Sequence, residues 1–221
     1  MKKWFAFVPA AVTATVLLSL PLCATAGAGV TGTAEAGAAK SAVCAACHGA
    51  TGNSVNPEWP NLAGQHRQYI ALQLAAFKAA VRLNPVMMGQ AAALSEQDMA
   101  DLAVHFSKLT PNGQEADPTL VARGQQLYRA GDTPRALPAC MGCHGPEGRG
   151  NGPARYPALR AQHSVYVYNQ LKAYAGGTRY GAPAAEAAVQ VPAGAAIMNE
   201  IAAKLSDEDM QALASYVQGL R

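Results

Sequence analysis

Charge and aromatic rings are both scarce in this chain: charged side chains make up 14% of the 221 residues and aromatics 6%. With 50% of the residues hydrophobic, there is too much apolar material and too little charge for a disordered tail. Seventeen basic residues against 14 acidic ones give no dense basic face, which excludes a nucleic-acid binder. Glycine and proline are not in excess, and no stretch alternates apolar and polar residues as a strand ladder does. The length suffices for one large domain or two of about 100 residues each, and the reading is all-α.

Cysteine is scarce too, but its placement decides more than composition. Cys23 stands alone, while Cys44, Cys47, Cys140 and Cys143 form two C-x-x-C-H strings that end in His48 and His144. Cys23 falls in a leader. Met1-Lys2-Lys3 is a short positive start, an apolar run extends from Trp4 to Leu22, and Ala24-Thr25-Ala26 supplies small residues for cleavage. Residues 1–26 therefore read as a secretory signal cut after Ala26. An uncleaved anchor is the competing reading, since about nineteen apolar residues just span a bilayer. Leu22 before Cys23 speaks against lipidation, so Cys23 leaves with the signal.

The two strings lie 96 residues apart and belong to an internal repeat. Pro60-Asn61-Leu62-Ala63-Gly64-Gln65-His66 matches Pro157-Ala158-Leu159-Arg160-Ala161-Gln162-His163 at an offset of 97, as do Tyr69 with Tyr166 and Gln73-Leu74 with Gln170-Leu171. Met87 through Leu94-Ser95 matches Met198 through Leu205-Ser206 at an offset of 111. The added length falls mainly in a Gly/Ala/Pro-rich stretch from about Gly176 to Ala196, read as a loop without chemistry of its own. Ile70, Leu74, Phe77 and Val81 share one helical face, and so do Met99, Leu102, Phe106 and Leu109. Val167, Leu171 and Tyr174, then Met210, Leu213, Val217 and Leu220, repeat them. Ser95 and Ser206 read as helix N-caps, with Asp98 and Asp209 three residues on. Each copy is a module of about three helices. The division is residues 27–109, a polar linker at 110–118 carrying Pro111 and Pro118, and residues 119–221. The second module is the more basic, with ten basic and seven acidic side chains, against five of each in the first.

The C-x-x-C-H string is the attachment signature of c-type haem. Two thiols three positions apart add to the two vinyl groups of one haem, and the next residue lies beneath the iron as proximal imidazole. The composition of this chain predicts roughly 0.003 such strings by chance, and two occur in matching repeats. Zinc sites, a redox dithiol and short disulfides compete less well, because none requires a histidine after each pair. The expected cofactors are two covalently bound haem c groups on Cys44 and Cys47, and on Cys140 and Cys143, with His48 and His144 on the irons. Secretion agrees with this, since such attachment occurs outside the cytoplasm.

The sixth iron position has several candidates. Met87 and Met198 share a register, whereas Met88 corresponds to Asn199, so a ligand used in both copies favours Met87 and Met198. Met99 and Met210 sit on the apolar stripes and read as core. His66 and His163 correspond and stay open as alternatives. His105 has Tyr216 as counterpart and reads as a surface or interface residue. Met/His coordination fills both axial positions, which suits electron transfer more than substrate chemistry.

Taken together, the two C-x-x-C-H-G strings, the Pro60-Asn61-Leu62-x-Gly64-Gln65 segment and Met87 ahead of Leu94-Ser95-x-x-Asp98 resemble the dihaem cytochrome c4 family from about residue 35 to the end. The resemblance implies two class I cytochrome c folds facing each other across a pseudo-twofold, His/Met ligation at both irons, and a periplasmic electron carrier. It also implies that the carbonyls of Pro60 and Pro157 accept the Nδ1–H of the proximal histidines. Ala161 departs from the glycine of the first module, and the 176–196 stretch is unusually poor in polar residues.

The expected function is a soluble or loosely membrane-associated monomeric carrier. Its partners are redox proteins: by resemblance, a cytochrome bc-type donor and a haem-copper terminal oxidase. Arg149, Arg155 and Arg160 offer a basic rim for an acidic partner, or else a solvated face beside haem propionates. The alternatives are a dihaem enzyme of the peroxidase or thiosulfate-oxidising type, with one open or non-Met distal position, and an anchored module of an oxidase complex.

Overall fold

The computed structural model describes Met1, residues 30–181 and residues 189–221. The leader, with its cleavage site and Cys23, lies outside the described residues, as does the middle of the 176–196 stretch. Among the described residues there are helices and isolated β-bridges but no strand, and no helix is long and apolar enough to cross a membrane.

The first half contains α1 (Ala34–Lys40), α2 (Ala42–His48), α3 (Arg67–Lys78), α4 (Pro85–Ala92) and α5 (Glu96–Lys108). The second contains α6 (Pro118–Ala130), a 3-10 turn (Thr133–Arg135), α7 (Met141–His144), α8 (Ser164–Ala175), α9 (Gly194–Ala202) and α10 (Asp207–Gly219). Each half thus has more than the three helices predicted from the apolar stripes. The Cys string and the Met segment each form a short helix, too brief for a stripe to be read. Packing order repeats as well: α1 on α5, α3 on α5 and α4 on α3, then α6 on α10, α8 on α10 and α9 on α8.

Local chemistry accounts for the ends of these elements. Ser95 and Ser206 each close a capping box, accepting from Asp98 N and Asp209 N while the aspartates accept from the serine N–H groups. Gly49 and Gly145 stop the Cys-string helices at φ of 78° and 77°, a left-handed turn that costs glycine nothing. Asp101 receives Lys40 Nζ at 2.8 Å and the backbone N–H of Thr33 at 2.8 Å, fixing α1 to α5. Arg123 and Arg135 grip Asp209 at 2.7 and 2.6 Å in the second half.

Burial follows the stripes. Ile70, Leu102, Ala103 and Phe106 form the first core, with Cys44, Leu74 and Leu94 packed against it. Leu127, Tyr128, Leu137, Met210, Leu213 and Val217 belong to the second, with Cys140, Val167 and Leu171 against it. Met99 and Met210 are buried, as expected of core residues.

Candidate functional site

In α2 the helical repeat places Cys44, Cys47 and His48 on one face, since positions three and four apart share a side. Cys140, Cys143 and His144 repeat that arrangement at α7. All four thiols are free, and burial pushes the Cys44 thiol up and that of Cys140 to about 11. No three His, Cys, Asp or Glu side chains converge on a point among the described residues, which is unlike a tetrahedral zinc site.

Both histidines are buried. His48 Nδ1 lies 2.9 Å from the Pro60 carbonyl oxygen, and His144 Nδ1 lies 3.0 Å from that of Pro157. A carbonyl only accepts, so Nδ1 carries the proton and Nε2 keeps its lone pair. Burial lowers both imidazole pKa values, against the opposing pull of the proline carbonyls. Each ring is therefore a neutral donor of fixed tautomer, the form in which histidine binds a metal.

The methionines lie on the short helices. Met87 and Met88 are adjacent and half-buried on α4, whose N-cap Asn84 accepts from Met87 N–H at 2.9 Å. Met198 is half-buried on α9. Next to it Asn199, in the amide orientation that satisfies both its ends, donates to the Tyr174 carbonyl at 3.0 Å.

His66 and His163, open alternatives for the sixth position, are used elsewhere. His66 Nε2 bonds the Arg149 carbonyl at 2.7 Å, and His163 Nε2 bonds the Ser54 carbonyl at 2.8 Å, each reaching into the other half. Gln114 of the linker donates to His163 Nδ1 at 2.9 Å. His105 packs edge-on to Phe106. Of the three arginines behind the second string, Arg149 and Arg155 are exposed and Arg160 is half-buried.

Between the halves the bonds are reciprocal. Gln65 accepts from Ala158 N–H and donates to Ala158 O, both at 2.9 Å. Gln162 accepts from Asn61 N–H at 2.8 Å and donates to Asn61 O at 2.9 Å. Arg82 Nη2 reaches Tyr166 Oη and Arg179 Nη2 reaches Tyr69 Oη, each at 2.9 Å. The segment at 81–83 pairs antiparallel with 179–181. Arg82 and Arg179 went unread in the sequence. They obey the 97 offset, so the repeat continues to Tyr180 and the extra residues begin after it. The start of the stretch expected to lack chemistry is thus part of the interface.

These two arginines also bear on whether a haem fits. Arg82 is 8% exposed and Arg179 5%, and among the described residues neither forms an ion pair. Arg179 lies over the Tyr174 and Tyr180 rings, but its Nε and Nη1 have no hydrogen-bond acceptor, although buried cations require compensation. A haem brings carboxylates, the chemistry these donors lack, while each Cys string offers two thiols, a free Nε2 and an apolar wall. The residues fit the group.

The family model for cytochrome c matches residues 34–110 and again residues 121–221. Cytochrome c4 of Azotobacter vinelandii is 42% identical over 216 residues, covering 94% of this chain and 98% of that one. The chain belongs to the dihaem cytochrome c4 family. The crystal structure of reduced recombinant cytochrome c4 from Pseudomonas stutzeri superposes with a TM-score of 0.78 at 40% identity, covering 86% of this chain and all of that one. A thiosulfate dehydrogenase electron acceptor from Thiomonas intermedia is more distant, 38% identical over 80% of this chain and 78% of its own length. As a cytochrome c4 the chain is an all-α protein of two tandem cytochrome c domains with two covalently bound haem c groups, and it serves electron transfer.

Proposed function

We propose that the chain is a periplasmic electron carrier and not an enzyme, with His/Met coordination at both irons. Cys44 and Cys47 would hold the first haem through thioether links, and His48 and Met87 would bind its iron. Cys140, Cys143, His144 and Met198 would do the same for the second. The observation that carries this reading is the matched pair of buried imidazoles, each with Nδ1 held by a proline carbonyl and Nε2 free.

When bound, the haem supplies a one-electron iron couple. His48 and His144 contribute a nitrogen whose tautomer does not change with redox state, because the proton stays on Nδ1, held there by its hydrogen bond to the proline carbonyl. Met87 and Met198 close the remaining position, which excludes water and small oxidants. No acid, base or nucleophile is assigned, since the transferred species is the electron. The domains are residues 27–109 and 119–221, joined by 110–118, and residues 1–26 form a signal that is removed after export. The carrier is a soluble or loosely membrane-associated monomer. It takes electrons from a cytochrome bc-type complex and delivers them to a haem-copper terminal oxidase. The Thiomonas relative, named for accepting electrons, is consistent with a carrier's role.

The test is the weak red sulfur-to-iron charge-transfer band of the oxidised protein, scaled to haem content. Two Met-ligated irons per chain support the carrier. A band worth one iron or none overturns symmetric ligation and moves the reading to a dihaem enzyme with an open or non-Met distal site.

A further inference from the structure

The peptide group between Pro60 and Asn61 is engaged at both ends, by different domains. Its carbonyl oxygen accepts the Nδ1–H of His48 at 2.9 Å, and its N–H donates to Gln162 Oε1 at 2.8 Å. The peptide between Pro157 and Ala158 mirrors it, with His144 Nδ1 at 3.0 Å on the oxygen and Gln65 Oε1 at 2.9 Å on the N–H. Asn61, Gln65 and Gln162 are buried, so water does not compete with these bonds. Each glutamine is clamped further, because its Nε2 donates to the next carbonyl of the same partner segment at 2.9 Å. Each Oε1 also accepts the backbone N–H of the residue that follows its own glutamine, His66 at 3.0 Å and His163 at 3.1 Å.

We infer that Gln162 and Gln65 are positioning residues that tune the proximal histidine of the opposite domain. An amide that donates through its N–H moves electron density to its carbonyl oxygen, and hydrogen bonds in series strengthen one another. A stronger acceptor at Pro60 O draws the Nδ1 proton of His48 and makes Nε2 the more basic ligand. Greater ligand basicity favours the oxidised iron. Gln162 therefore lowers the potential of the His48 haem, and Gln65 lowers that of the His144 haem. Each potential depends on the domains being docked, through a chain of one imidazole, one peptide and one amide. This inference rests on the reading of His48 and His144 as iron ligands.

The experiment is a redox titration of the full dihaem protein and its Gln162→Leu and Gln65→Leu variants, each haem followed by NMR through its shifted Met87 or Met198 methyl resonance. In Gln162→Leu the midpoint potential of the His48 haem rises and the other stays in place, and Gln65→Leu gives the converse. In the reduced protein the Nδ1–H resonance of the affected histidine moves upfield. A glutamine that only holds the domains together would move both potentials in both variants, and that result overturns the inference, as does no shift or a shift in the variant's own domain. If leucine prevents folding, Gln162→Asn and Gln65→Asn retain the polarity but fall short of the partner N–H, and the same pattern is required. A wild-type protein without two His-ligated haems would instead defeat the ligand reading.

Discussion

Gly37 on α1 meets the backbone of α5 so closely that a Cβ there would lie 2.2 Å from the Asp101 carbonyl oxygen, and Gly124 on α6 stands 2.3 Å from the Ala212 oxygen in the same sense. The obstruction is backbone and cannot rotate away, so Gly124→Ala must push α6 off α10. Overpacking of this kind costs about 1–3 kcal/mol. We expect Gly124→Ala to lower the unfolding free energy by that amount and so to lower the denaturant midpoint, whereas Gly142→Ala, where nothing lies within 4 Å of the added carbon, changes it little. Equal midpoints for the two variants would show that the helix crossing tolerates a methyl group.

Lys40 holds two carboxylates of α5, Asp98 at 2.6 Å and Asp101 at 2.8 Å. The Lys40 hydrogen bond is the main reason both carboxyls ionise below the usual carboxylate range, with Ser95 adding at Asp98 and Thr33 at Asp101. A carboxyl whose folded pKa is depressed stabilises the fold fully above its unfolded value, about 4, and loses that contribution as the pH falls towards the folded value. Melting temperature should therefore decline below about pH 4. In Lys40→Met the decline should be shallower, with a lower plateau at neutral pH. Identical pH profiles for wild type and variant would rule this coupling out.

Ala161 occupies the place of Gly64 and adopts its conformation, with φ of 55° against 68°. The left-handed region costs a residue with a Cβ about 1–2 kcal/mol; glycine relieves that strain, and the greater entropy of the unfolded chain offsets part of the gain. Ala161→Gly is expected to stabilise the protein by about 0.5 kcal/mol. Gly64→Ala should do the reverse and more, since its Cβ would also lie 2.9 Å from Pro111 Cδ. Opposite signs for the two substitutions in chemical denaturation are the check.

How far the molecule was legible in the sequence follows the range of each interaction. Helix starts at Ser95 and Ser206, the stripes through Leu102 and Leu213, and the pairing of the two strings depend on neighbours a turn or a repeat away, and all are found in the fold. The short helices α2, α4, α7 and α9 escaped because one or two turns show no periodic stripe. His66 and His163 had the chemistry of iron ligands, but their Nε2 atoms are spent on carbonyls of the opposite domain. Gln65 and Gln162 served only as markers of the repeat. Arg82 and Arg179 lie just beyond helix ends, where no local pattern reveals that a cation is buried against another domain's tyrosines. The 97 offset was the available signal, and the inserted residues after Tyr180 hid it.

The repeat at its later offset of 111 separates Met87 from Met88. Successive residues of a helix point about 100° apart, so only one of the pair shares the orientation of Met198. Asn199 is tied to the Tyr174 carbonyl on α8, and Met88 is its counterpart in the repeat. Met87, one step round, is the ligand position that the proposed ligation assigns. Met87→Leu should remove one iron's share of the red charge-transfer band while both haems stay covalently bound, and Met88→Leu should leave the full band. Loss of the band in Met88→Leu, with Met87→Leu unaffected, would assign the ligand to Met88 and show that the two modules do not coordinate iron from the same register.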